Sequence, residues 1–161
     1  MLTAYFDDSG THTKSKIVMV AGISGTEGRL AGLEHSWRKH LERPLEGTKP
    51  RLKRFHMVDC QGSRGEFEGW SRPEIDHFCF QLQTEIIDSG VVAYGIACSR
   101  ADWDDLVTGD IRAIFGDAEG MCIRNSFVRI LGWAQSNTFD PEMKFVFDNR
   151  PSSVQRDAKV V

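Results

Sequence analysis

The stretch "LTAYFDDSG", residues 2–10, decides how this chain folds. Five residues rich in apolar and aromatic side chains run into two consecutive acids and then Ser-Gly, a pattern that predicts a strand over residues 2–6 followed by a turn. A second run, "KIVMVAGIS", occupies residues 16–24. So short a connection predicts an antiparallel hairpin with a polar loop. Ile17, Val18, Met19, Val20 and Ala21 are apolar in succession, which predicts a strand covered on both faces, in the middle of a sheet.

From Glu27 the period changes. Leu30, Leu33, Trp37 and Leu41 fall on one helical stripe, and Pro44 marks its end. Residues 52–58, "LKRFHMV", predict a short strand or extended segment, and the glycine-rich stretch beyond them a loop. Ser71 and Glu74 have capping-box spacing ahead of an apolar face made by Ile75, Phe78, Cys79, Leu82 and Ile86, with Gly90 as the stop. Residues 91–98, "VVAYGIAC", read as a buried strand. The acidic residues 101–117 lack calcium-loop spacing and read as a solvated helix start and loop. A helix is predicted over 119–136, then a strand over 144–147 that runs into Asp148.

The order strand, strand, helix, short strand, helix, strand, helix, strand predicts an α/β fold. It is a mixed sheet with an N-terminal antiparallel hairpin and flanking helices. At 161 residues the chain fits one domain. In the tail, residues 154–161 read as the first turns of a helix that does not complete, so a single domain lacking its last helix is expected.

Composition narrows the function classes. With 40% hydrophobic and 27% charged residues the chain is an ordered globular protein. It has no apolar run near the length of a membrane span and no signal-type segment, which predicts a cytoplasmic protein with no membrane partner. The cysteines at 60, 79, 98 and 122 show no Cys-x-x-Cys spacing and read as reduced thiols rather than as a zinc or redox pair. A net charge of −3 argues against coating nucleic acid through overall charge. Lys49, Arg51, Lys53 and Arg54 nevertheless form a local basic stretch, readable as a phosphate-contacting surface or as a solvated loop.

The carboxylates carry the candidate chemistry. Asp7 and Asp148 each end a buried-type strand, and if those strands are neighbours the two acids meet at one sheet edge. Hard divalent cations such as Mg²⁺ or Mn²⁺ favour such oxygen ligands, and paired metals activate water and stabilise the leaving oxygen in phosphodiester cleavage. Strand alternation sends Asp7 and Asp8 to opposite faces, so Asp7 is expected to face inward as the ligand and Asp8 to be an outer-shell or alternate one. The other reading makes both of them ordinary turn residues. His56 is a candidate to position or protonate a substrate phosphate, with Asp59 as its orienter or as an extra ligand. A satisfied structural histidine with a loop acid is the alternative.

Taken together, "YFDDSGT", "VMVAGIS", "EHSWRKHL", "RFHMVD" and "KFVFDN" resemble the bacterial and phage family catalogued as domain of unknown function 3800, which looks like a ribonuclease H-like fold. The resemblance implies a divalent-metal-dependent nuclease or phosphodiesterase, with Asp7 and Asp148 as ligands and His56 and Asp59 in a further motif. The usual Asp-Glu-Ser-Gly opening is here Asp-Asp-Ser-Gly, one methylene shorter at the second acid. Members also continue to a helix with a Gln-x-Ala-Asp-like motif that nothing after Asp148 matches, Asp157 lying too soon. The expectation is therefore a C-terminally incomplete, ribonuclease H-like chain, either a hydrolase or inactive in this form. A non-catalytic module that binds nucleic acid or a protein partner is the alternative. An incomplete sheet also leaves self-association open.

Overall fold

The computed structural model describes residues 1–10, 14–137 and 142–147. The chain divides into two compact units: the described residues of 1–26 together with those from 92 onward, and Glu27–Val91.

The first unit is built on a four-stranded mixed sheet. Its strands are β1 (Leu2–Ser9), β2 (Ile17–Thr26), β3 (Val92–Ser99) and β4 (Met143–Phe147), in the order β3-β2-β1-β4. β1 and β2 are antiparallel, as are β2 and β3, while β4 runs parallel to β1. The expected α/β class, mixed sheet and N-terminal hairpin are all present. Leu2, Ala4 and Phe6 are buried and alternate with Thr3, Tyr5 and Asp7, so one face of β1 is the core face. Phe6 lies at the centre of an aromatic group with Tyr94, Phe127, Phe145 and Phe147. Opposite Phe6 sits Gly22, where a Cβ would come within 2.8 Å of the Tyr94 hydroxyl and 2.3 Å of the Tyr5 carbonyl oxygen. Only a glycine lets the strands and rings close here.

β2 does take an interior place, between β3 and β1, but it is not covered on both faces. Val18 and Val20 are fully buried, whereas Ile17 is 57% and Met19 39% exposed. A continuous apolar run therefore hid an alternating strand, because the far face of this part of the sheet carries apolar side chains in the open. The core face is covered by α6 (Ala118–Ser136), which packs on β2 and β3. Asp117 caps this helix by accepting the Gly120 N–H at 2.8 Å. The acidic stretch before it forms two short helices, α4 (Arg100–Leu106) and α5 (Gly109–Phe115), the first anchored by buried Trp103. Within it, Asp104 accepts from Arg112 at 2.7 Å.

The second unit contains α1 (Glu27–Glu42), α2 (Met57–Gln61) and α3 (Arg72–Asp88), with single 3₁₀ turns at Pro44–Gly47 and Gly65–Phe67. Its core gathers Leu52, Cys60, Phe67, Trp70, Ile75, Phe78 and Leu82, with Trp37, Leu41 and Phe55 packed against them. The short strand expected over residues 52–58 is absent: the segment runs irregularly to His56, and α2 begins at Met57. Its backbone groups are satisfied outside any sheet. The Leu52 N–H donates to the Leu41 carbonyl, and the Lys53 N–H to the Glu66 carboxylate. α3 begins as expected at Ser71, whose N–H and hydroxyl both donate to Glu74, at 2.7 and 2.9 Å.

Candidate functional site

Asp7 and Asp8 are strand residues, not turn residues. β1 extends through Ser9, and the register sets Asp7 opposite Ala21 and Asp8 opposite Val20. The turn starts at Gly10, whose φ of +73° and a Cβ position 2.0 Å from the Ile17 carbonyl oxygen admit no side chain. Arg100 braces this turn by donating from Nη2 to the Gly10 carbonyl at 3.1 Å. No sequence pattern pointed to Arg100, since it stands ninety positions from the turn it holds.

The two acids do face opposite ways, but in the reverse of the expected sense. Asp8 shares the α6-covered face with Phe6 and is half-buried, while Asp7 shares the open face with Tyr5. Asp7 Oδ1 accepts the Asp8 N–H at 2.9 Å, which fixes the carboxylate and leaves its other oxygen for a ligand.

The late-strand acid, Asp148, lies outside the described residues, as does Asp157. Its chain neighbour Phe147 is described: it pairs with Phe6 in the parallel register, and the two rings stack at 4.7 Å with an 8° interplanar angle. Among the described residues no three His, Cys, Asp or Glu side chains converge to hold a metal ion.

In the other unit, His56 and Asp59 are joined as the motif suggested. His56 is the residue before α2 and Asp59 lies in its first turn, which brings Nδ1 to 2.8 Å from Asp59 Oδ2. Phe55 anchors the segment, its ring meeting Trp37 and Phe67 edge-on within the core. The bond from His56 holds the Asp59 carboxyl below its ordinary value, with the charges of His56, Arg54 and Arg64 lowering it further against a desolvation that raises it. With Nδ1–H donating to an ionised Asp59, the ring is held in one orientation, as in an acid–base or metal-ligating histidine. The His56 side chain is 53% exposed, and its bond to Asp59 fits a satisfied structural histidine as well as a ligand-facing one.

The basic stretch divides. Arg51, Lys53 and Arg54 are exposed, Arg51 lying 4.0 Å from Glu42. Lys49 is an internal tie: its ammonium is 2.9 Å from Glu74 and sits 5.5 Å from the centre of the Trp70 ring, with the side chain 18% exposed. That position has a structural partner on both sides, which spacing along the chain did not reveal. Arg64, ten residues beyond Arg54, joins the cations around Asp59 instead.

Comparison with protein-family models, with curated proteins and with solved structures finds no match for this chain.

Proposed function

We propose that the chain is a ribonuclease H-like, divalent-metal-dependent phosphodiester hydrolase acting on nucleic acid, with Asp7 and Asp148 as the metal ligands. One observation carries the reading: β4 lies beside β1 in parallel, with Phe6 stacked on Phe147. Parallel neighbours end at the same edge of a sheet, where ligands gather in α/β folds. Asp7 and Asp148 directly follow Phe6 and Phe147 in the sequence. Carboxylates have the oxygen chemistry that Mg²⁺ or Mn²⁺ favours. When bound, such ions lower the pKa of a water nucleophile and stabilise the leaving oxygen. Asp7 contributes a carboxylate pre-set by its bond to the Asp8 amide, and Asp8 acts from the opposite face as an outer support.

The His56–Asp59 dyad supports contact with a substrate phosphate within its own unit, with Asp59 holding the ring and Arg54 adding positive charge. The experiment is hydrolysis of single- and double-stranded DNA and RNA in Mg²⁺ or Mn²⁺. Asp7→Asn and Asp148→Asn are expected to lose on the order of 100-fold or more in turnover, as removal of a metal ligand does, and Asp8→Asn less. Turnover unchanged in Asp7→Asn overturns the site.

A second reading, a non-catalytic module that binds nucleic acid, is favoured by the exposure of Arg51, Lys53 and Arg54 beside the dyad. It predicts binding without turnover and an affinity that falls with salt. Arg54→Ala would reduce the slope of log K against log salt by about 1 if that side chain contacts a phosphate.

A further inference from the structure

Cys60 and Cys79 are nineteen positions apart in sequence, yet their sulfurs lie 3.7 Å from each other. Cys60 is fully buried on α2, next to Asp59 in the chain, and Cys79 is half-buried on α3. Both belong to the same compact unit, which holds no other cysteine, as Cys98 and Cys122 fall outside Glu27–Val91. A disulfide needs its sulfurs about 2 Å apart, so closure asks for an approach of about 1.7 Å. α2 is only five residues long, so the approach asks for a shift of one short element rather than of a long helix.

We infer that Cys60 and Cys79 form a reversible intramolecular disulfide on exposure to a hydroperoxide, a modification that bonds the helix of the His56–Asp59 dyad to α3. The inference is independent of the proposed hydrolase activity. Cys79, the more accessible sulfur, reacts first. Its thiolate attacks the peroxide O–O bond, taking one oxygen to become a sulfenic acid, and the other oxygen leaves as an alcohol or as water. The Cys60 sulfur then attacks the Cys79 sulfur, the S–S bond forms as the S–O bond breaks, and the departing hydroxide takes the Cys60 proton as water. Two thiols have lost two electrons to one peroxide. Burial, with the contact to Cys79, pushes the Cys60 thiol up to about 12, which leaves Cys79 as the sulfur that meets the peroxide.

The test treats the full chain with hydrogen peroxide, quenches it by alkylation in denaturant, and reads the products by mass spectrometry without reduction. The expected product is monomeric, lighter by two hydrogen atoms, with residues 60 and 79 in one linked peptide and two alkylated thiols in place of four. It reverts with dithiothreitol, is lost in Cys79→Ser and is retained in Cys98→Ser. The oxidised form is expected to melt at a higher temperature, because the bond closes the loop of residues 61–78 in the unfolded chain. Oxygen addition at Cys79 with Cys60 still alkylated overturns the inference. So does a product linked between chains, or a chain that keeps all four thiols alkylatable after the treatment.

Discussion

The Glu74 carboxylate takes part in three interactions at once. It pairs with Lys49 at 2.9 Å and accepts both the N–H and the hydroxyl of Ser71. Lys49 first, and then the two bonds from Ser71, hold its pKa at about 2, below the ordinary 4.5. Between those values the unfolded chain binds more protons than the folded one, so stability rises with pH across this window. The contribution is complete above 4.5 and is lost as pH falls through about 2. Glu74→Gln keeps an acceptor for the capping box but removes the charge. Urea unfolding is therefore expected to find the variant less stable than the wild type at pH 7, with the two curves converging as the pH approaches 2. A constant difference across that range would show that the charge is not what the site contributes. Lys49 illustrates how far sequence reaches at this scale. Its neighbours in the chain made it one of a run of cations, but its energetics are set by Trp70 and Glu74, which packing alone brings to it.

Among the elements, β1 was legible because its period is simple. Leu2, Ala4 and Phe6 alternate with polar or half-polar residues, and the hairpin partner followed at once. Its true end was not legible, since Asp-Asp-Ser reads as a turn in isolation, yet here it continues the ladder opposite Val20 and Met19 until Gly10 forces the chain round. The misread strand at residues 52–58 has the converse cause. Phe55 and Leu52 have strand composition, but they serve as anchors in a helical core, so burial came without a ladder. The direction in which Asp7 points was also out of reach, because which face of the sheet α6 covers is decided by Phe127, Ile130 and Ala134 more than a hundred residues away. Phe6 is where β1 and β4 depend on each other most. It is 4% exposed and contacts rings on β3, α6 and β4. Phe6→Ala is expected to cost about 3–5 kcal/mol in chemical denaturation. Phe6→Leu should cost clearly less, because it refills most of the volume. Equal losses in the two variants would mean that the stacked ring geometry, rather than buried volume, holds the strands.

For the molecule as a whole, the second unit is a continuous insertion between two strands that pair with each other. β2 ends at Thr26 and β3 begins at Val92, with Ser24 opposite Val92 in an antiparallel register. Such neighbours need only a hairpin loop of a few residues, so nothing in the sheet requires the 65 residues of Glu27–Val91. Each unit also has its own apolar core. Leu52, Phe67, Trp70, Phe78 and Leu82 gather in one unit, and Ala4, Phe6, Val20, Cys122 and Ile130 in the other. Two cores with no residue in common predict two independent folding problems. A chain in which residues 27–91 are replaced by a short glycine-containing hairpin loop is expected to keep cooperative unfolding and the near-ultraviolet dichroism of the Phe6 aromatic group. The excised Glu27–Val91 should fold alone as a marginal domain, since about 60 residues bury only about 60% of the surface that their unfolded chain exposes. Its two tryptophans, Trp37 and Trp70, both touch that core and report its unfolding by fluorescence. A Glu27–Val91 chain with no cooperative transition would show that its aromatic cluster is stable only when both of its ends are fixed by the β2–β3 pair.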